Sequence, residues 1–214
     1  MSNRDLKTID IVLANDIDYV DSILRVKDSV REEIVKTVRE IVRYSSDSIR
    51  FVHLGEYGKA RELLDKLIKI VRNMCEKLSQ HPDLYYSGLV YNGLSEFVEA
   101  YLTYSLIVEE KLVSIRELNI PIAPYLQGLG DLIGELRRYV LTLIDRNEFD
   151  KANLYLNIME TIYSYLKKLN YPDPLVPGLK HRVDVARRLI EDTKTLFISV
   201  KNMIDLSKKL SLNS

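Results

Sequence analysis

The chain has 214 residues, 46% of them hydrophobic, which is enough for one sizeable core and by default one domain over 1–214. Lys+Arg and Asp+Glu both number 31, so the zero net charge excludes a global attraction to nucleic acid or membrane and leaves only local charge sorting. Cys75 is the single cysteine, which excludes an intrachain disulfide and suits a reducing, cytoplasmic compartment. No run approaches the ~18 apolar residues of a membrane span, and the acid-rich N-terminal stretch does not read as a signal peptide.

Helical periodicity dominates. Ile17, Val20, Leu24, Val30, Ile34, Val38 and Ile41 recur every three or four residues, with Arg25, Lys36, Arg39 and Arg43 between them. They predict one helix from about Asp16 to about Val52, long enough to suggest a bundle or a partner interface. "HLGEYG" (53–58) breaks it. A second helix follows over about 59–78, with Leu63, Leu64, Leu67, Ile70, Val71 and Met74 as its stripe. Pro82 stops it. A third helix is expected over about 84–109, a short turn of helix near 114–118 and a fourth helix over about 125–146. After the polar turn "RNEFD", a fifth helix runs over about 151–169. "NYPDPLVPG" is a loop, and a sixth helix covers about 179–210. No strand pattern stands out. The expectation is an all-α bundle of about six long helices plus a short helical turn.

Two acidic pairs lie within the more apolar helices. Glu96 and Glu99 are three residues apart and Asp131 and Glu135 four apart, so each pair projects from one side of its helix. Gly93 precedes the first pair; Gly128, Gly130 and Gly134 surround the second. Glycine inside a helix costs up to ~1 kcal/mol against alanine, and close helix approach is a reason to tolerate it. Four carboxylates in one pocket cannot all stay ionised without cations, and hard divalent ions suit an all-oxygen site. Ordinary salt bridges, with Arg137 and Arg138 as partners, account for the same spacing. A ferritin-like di-iron site does not fit, because neither pair contains a Glu-x-x-His. His53, His81 and His181 sit near loops or helix ends and read as surface or capping residues. Tyr85, Tyr86 and Tyr91 read either as core packing or as stacking platforms for single-stranded bases.

Several stretches resemble the translin superfamily, and its translin-associated factor X branch more than translin itself: "VREEIVKTVREIVRYSSDSIRFVH", "YNGLSEFVEAYLTYSLI", "YLQGLGDLIGELRRYVL", "NEFDKANLYLNIMETIYSYLKKLN" and "LKHRVDVARRLIEDTKTLF". The resemblance implies a helical fold assembled into a hollow octameric shell, here a homo-oligomer of an archaeal-like single-subunit form. It further implies a Mg²⁺-dependent endoribonuclease acting on single-stranded RNA, with single-stranded DNA as a second ligand and Mn²⁺ as a substitute ion. Glu96, Glu99, Asp131 and Glu135 match the catalytic, metal-holding acids of that branch. Arg137 and Arg138 are the candidate phosphate contacts. One departure is local: translin carries an Arg and His cluster where this chain reads "YYSGLVYNG", so translin's own binding mode does not transfer. If the four acids share a metal, replacing any one of them is expected to relieve repulsion rather than to destabilise the fold.

Overall fold

With no glycine or proline before Gly55, nothing stops the first helix early. In the computed structural model, which describes residues 3–211, it runs as α1 (Asn3–His53), starting well before Asp16. The chain continues as α2 (Tyr57–Leu78), α3 (Pro82–Tyr85), α4 (Gly88–Ile107), α5 (Ile115–Leu118), α6 (Ile122–Asp145), α7 (Phe149–Leu166) and α8 (Leu179–Ser211), with no strand among the described residues. The all-α expectation holds. The expected third helix is two: Pro82 opens the single turn of α3 at a position where its missing N–H costs nothing, and Ser87 then caps α4 by accepting from the Val90 N–H. Pro124 is tolerated inside the first turn of α6, so that helix starts at Ile122 instead of near Tyr125.

Local chemistry sets the reversals. Gly55, at φ +76°, turns the chain after α1, where the Glu56 N–H reaches back to the Phe51 carbonyl at 2.9 Å. Asn147, at φ +60°, does the same after α6, where the Glu148 N–H reaches the Leu143 carbonyl at 2.8 Å. Ser114 and Glu117 form a reciprocal capping box on α5.

The helices pack as a series. α2 lies against α1, α1 against α4, α4 against α6, and α6 against both α7 and α8. α4 is the central member, with Val90, Leu94, Phe97, Val98, Leu102 and Ile107 all buried. Its incompletely covered positions include Asn92, Glu96, Glu99 and Tyr101. α1 joins the core only in its second half, through Ile34, Val38, Ile41, Ile49 and Val52. Ile17, Val20 and Leu24, which belong to the same apolar stripe in the sequence, are exposed, as are Ile9, Ile11 and Leu13. Roughly 27 Å of α1, from Ile9 to Val26, therefore carries an apolar face that this chain alone does not cover.

Helix approach is closest at Gly128. A Cβ there would lie 2.6 Å from the Ser95 carbonyl oxygen and 2.7 Å from the Val98 Cβ, so α4 and α6 meet nearly backbone to backbone. At Gly134, six residues further along α6, a Cβ would meet nothing within 4 Å. Opposite effects follow for the same substitution. Gly128→Ala should destabilise by about 1–3 kcal/mol through overpacking. Gly134→Ala should be neutral or stabilise by up to ~1 kcal/mol through helix propensity. Urea unfolding of both variants checks this, and equal effects would contradict the close approach.

Candidate functional site

The four acids lie just beyond the α4–α6 crossing, Glu96 and Glu99 on α4, Asp131 and Glu135 on α6. The structure brings them into one electrostatic unit. Glu99 is pushed up to about 8 from an ordinary 4.5, first by burial and then by the charges of Asp131, Glu96 and Glu135. Glu96 is raised too, by burial and by Asp131, with Arg182 partly offsetting the rise. Among the described residues, neither Glu96 nor Glu99 has a hydrogen-bonding or ionic partner.

Asp131 and Glu135 differ. Arg182, from the second turn of α8, donates its Nε–H to both carboxylate oxygens of Asp131, at 2.9 and 2.8 Å. Gly130 makes room for it, since a Cβ there would sit 3.1 Å from the Arg182 Cβ. His53, in the last turn of α1, places Nε2 2.6 Å from Glu135 Oε2. Its side chain is only 5% exposed, and its buried Nδ1 has no hydrogen-bond partner. The reading of His53 as a surface or capping residue is thus corrected: it is a buried partner of a candidate site acid. His81 and His181 remain at exposed or partly exposed helix ends.

The sequence reading places neither Arg182 nor His53 at the site: His53 reads there as a surface or capping residue, and Arg182 carries no role. Their contacts span 51 and 82 residues. The sequence carries no local trace of either; a buried acid that must find a counter-charge is the only signal, and it does not say which one.

The two candidate phosphate contacts separate. Arg138 shares the face of Asp131, within about 20° by helical register, and its Nη1 is 4.0 Å from Glu135 Oε2. Arg137 points about 120° away, half-buried, with its Nε lacking a partner. At the N-terminal ends of α4 and α6, Tyr85, Tyr86 and Tyr91 line an open groove with Ile122 and Leu175. Tyr85 packs on the core and meets the Tyr86 ring edge to face at 5.0 Å, while Tyr86 itself is exposed.

All four groups are oxygen donors, and Glu99 retains a proton near neutral pH through burial first and then the anionic charge of its neighbours, a repulsion that a divalent cation offsets. In chemistry the residues fit Mg²⁺ or Mn²⁺. Among the described residues no three His, Cys, Asp or Glu side chains already form a ligand cage. No helix of the described residues is long and apolar enough to cross a membrane.

The expectation that all four substitutions relieve repulsion now divides. Loss of Glu96 or Glu99 relieves it; loss of Asp131 or Glu135 strands Arg182 or His53 instead. Stability should follow pH accordingly. Folded Glu99 keeps its proton up to about 8, whereas the unfolded carboxyl ionises near 4.5. Between these values the unfolded state binds fewer protons, so Glu99 makes stability fall as pH rises through that window. In EDTA, Glu99→Gln should remove much of the fall and raise Tm at pH 8 by at least ~3 °C. Parallel Tm-versus-pH curves for the two proteins would refute this.

Comparison with known proteins agrees with this architecture. The Translin family model matches residues 29–197. The uncharacterized protein MJ0175 of Methanocaldococcus jannaschii is 33% identical over 189 residues, 86% of this chain and 82% of that protein. A structure of AfC3PO in complex with duplex RNA superposes with a TM-score of 0.82 at 31% identity, over 88% of this chain and 97% of that one. The crystal structure of AfC3PO gives 0.80 at 32% identity, over 88% and 98%. Apo-NeC3PO, at 22% identity, shares the fold, with a TM-score of 0.78 over 86% and 96%. The chain belongs to the Translin family.

Proposed function

We propose that this protein binds RNA and cuts single strands of it as a Mg²⁺-dependent endoribonuclease, with Glu96, Glu99, Asp131 and Glu135 as the metal-holding acids, inside a homo-oligomeric shell. The observation that carries the reading is the gathering of four carboxylates at one helix crossing, where burial and, after it, the charges of Asp131, Glu96 and Glu135 push Glu99 up to about 8. Binding of duplex RNA by its structural neighbour AfC3PO supports the RNA ligand.

A divalent cation bound there would lower the pKa of an attacking water and offset charge on the scissile phosphate. The chain's own residues divide the remaining work. Arg182 fixes the Asp131 carboxylate through both oxygens, and His53 fixes Glu135. Glu96 and Glu99, without such partners, are free to turn toward an incoming cation. In the cation-free site Glu99 holds a proton on its carboxyl, which limits the repulsion there. Gly134 leaves open space next to Asp131. Arg138 presents its guanidinium beside Glu135 to a phosphate.

A second reading is favoured by the two satisfied pairs, Asp131 with Arg182 and Glu135 with His53: an RNA-binding shell in which the acids are scaffolding. Labelled single-stranded RNA and its annealed duplex, incubated with Mg²⁺ or EDTA, separate the two. Cleavage of the single strand that needs Mg²⁺ is expected, at least ~100-fold slower in Glu96→Ala and Glu99→Ala, with those variants melting no lower than the parent. Binding without cleavage selects the second reading. Equal cleavage of duplex removes the strand preference.

Assembly rests on the uncovered apolar face of α1, where Ile17 is 62% and Leu24 56% exposed. Light scattering should give a species near eight times the 24.8 kDa chain mass. Ile17→Asp with Leu24→Asp should reduce that mass several-fold while helical content is retained. A stable monomer of the parent at micromolar concentration would overturn the assembly.

A further inference from the structure

A cluster of four acids repels a polyanion, and the chain's zero net charge supplies no compensating attraction. Any RNA reaching this site therefore needs cations placed beside it. Arg182 and His53 are already engaged by Asp131 and Glu135.

The flank of α1 offers free cations. His53 fixes the rotational setting of this helix, because it reaches Glu135 on α6. Counting back at 100° per residue, Ser46, Arg39, Arg50 and Arg43 fall within about 80° of His53, all turned the same way around the axis. All four are exposed. Core residues Val38, Ile41 and Val52 lie on the opposite side of His53, against α4 and α2. Arg39 and Arg43 have no carboxylate partner among the described residues, and Arg43 rests over the Tyr44 ring at 4.8 Å. Arg50 keeps a loose contact with Asp47 at 3.3 Å and remains 53% exposed. Glu40, the acid nearest in sequence to Arg39, sits about 140° from His53 and outside the stripe.

We propose that Arg39, Arg43 and Arg50 form a phosphate track along α1 that leads an RNA strand to the acid cluster, where Arg138 continues it. This rests on the RNA-binding reading above. The arginines are spaced one and two turns apart, about 6 and 10 Å, so each can meet a different phosphate of one strand. Contacts of this kind hold the backbone and carry no base preference.

The test is fluorescence anisotropy of a labelled oligouridylate in EDTA, which measures binding without cleavage. Arg39→Ala with Arg43→Ala should weaken binding at least about tenfold and make the salt dependence shallower by about 1.4 in log K against log salt, two contacts at ~0.7 each. Lys167→Ala with Lys168→Ala, exposed at the far end of α7, should change neither. Parent protein that binds, with an arginine variant of equal affinity and slope, overturns the track and leaves the RNA reading standing. Parent protein that binds no RNA overturns both. Weaker binding accompanied by a changed mass in light scattering assigns the stripe to an interface between copies and also overturns the track.

Discussion

At Gly128 the backbones of α4 and α6 come so close that even a methyl group would overlap the Ser95 carbonyl and Val98. The acids follow directly from that crossing. Glu96 is the residue after Ser95 and Glu99 the one after Val98; Asp131 and Glu135 lie one and two turns past Gly128. Were the helices held at the 8–10 Å separation usual with larger side chains, the same four residues would sit on two separate, wetter surfaces. Their ionisation would then be independent. The absence of one side chain on α6 thus makes four ordinary carboxylates into one coupled group.

That coupling is uneven, and the unevenness recruits the rest of the bundle. Arg182 brings α8 onto Asp131, aided by Gly130 in the α6 wall and by Gly178, at φ +71°, which turns the chain just before it. His53 brings the end of α1 onto Glu135. Four helices therefore meet at the cluster, and each added helix contributes one cationic or polar partner. Glu96 and Glu99, on the central helix, receive none, and Glu99, the more deeply buried of the two, meets the remaining repulsion by holding its proton. A site built this way is preorganised on α6 and left adjustable on α4, which suits acids that must respond to a ligand carrying positive charge.

Most of the helices and both acidic pairs were legible in the sequence, because helical periodicity and turn chemistry are local. Of the glycines around the two pairs, Gly128 alone marks the α4–α6 approach; Gly93 meets Val38 on α1, Gly130 meets Arg182 on α8, and Gly134 faces open space. What was not legible depended on tertiary register. Nothing near His53 signals a partner 82 residues away, and its place before a glycine turn suggests a cap instead. Pro82 was read as a stop, whereas at the first position of a helix it is also a start. The stripe through Ile17, Val20 and Leu24 was visible, but periodicity cannot distinguish a face that meets its own core from one that the core leaves exposed.

α1 shows how one rigid element can link these properties. It is about 75 Å long, and successive segments meet different surroundings. Its first half offers an uncovered apolar face, its second half fills the core, its flank carries unpaired arginines, and its last turn places His53 on Glu135. A continuous helix transmits direction well. If a second copy covers the first half, it fixes the axis along which the arginine flank and His53 are presented. The acid cluster would then owe its setting to two contacts of different kinds: the glycine crossing, internal to the chain, and the seating of α1, shared between chains. Loss of the first would separate the acids without affecting the projecting half of α1. Loss of the second would leave the core intact from Ile34 onward and remove only the enclosure around a site whose internal geometry survives.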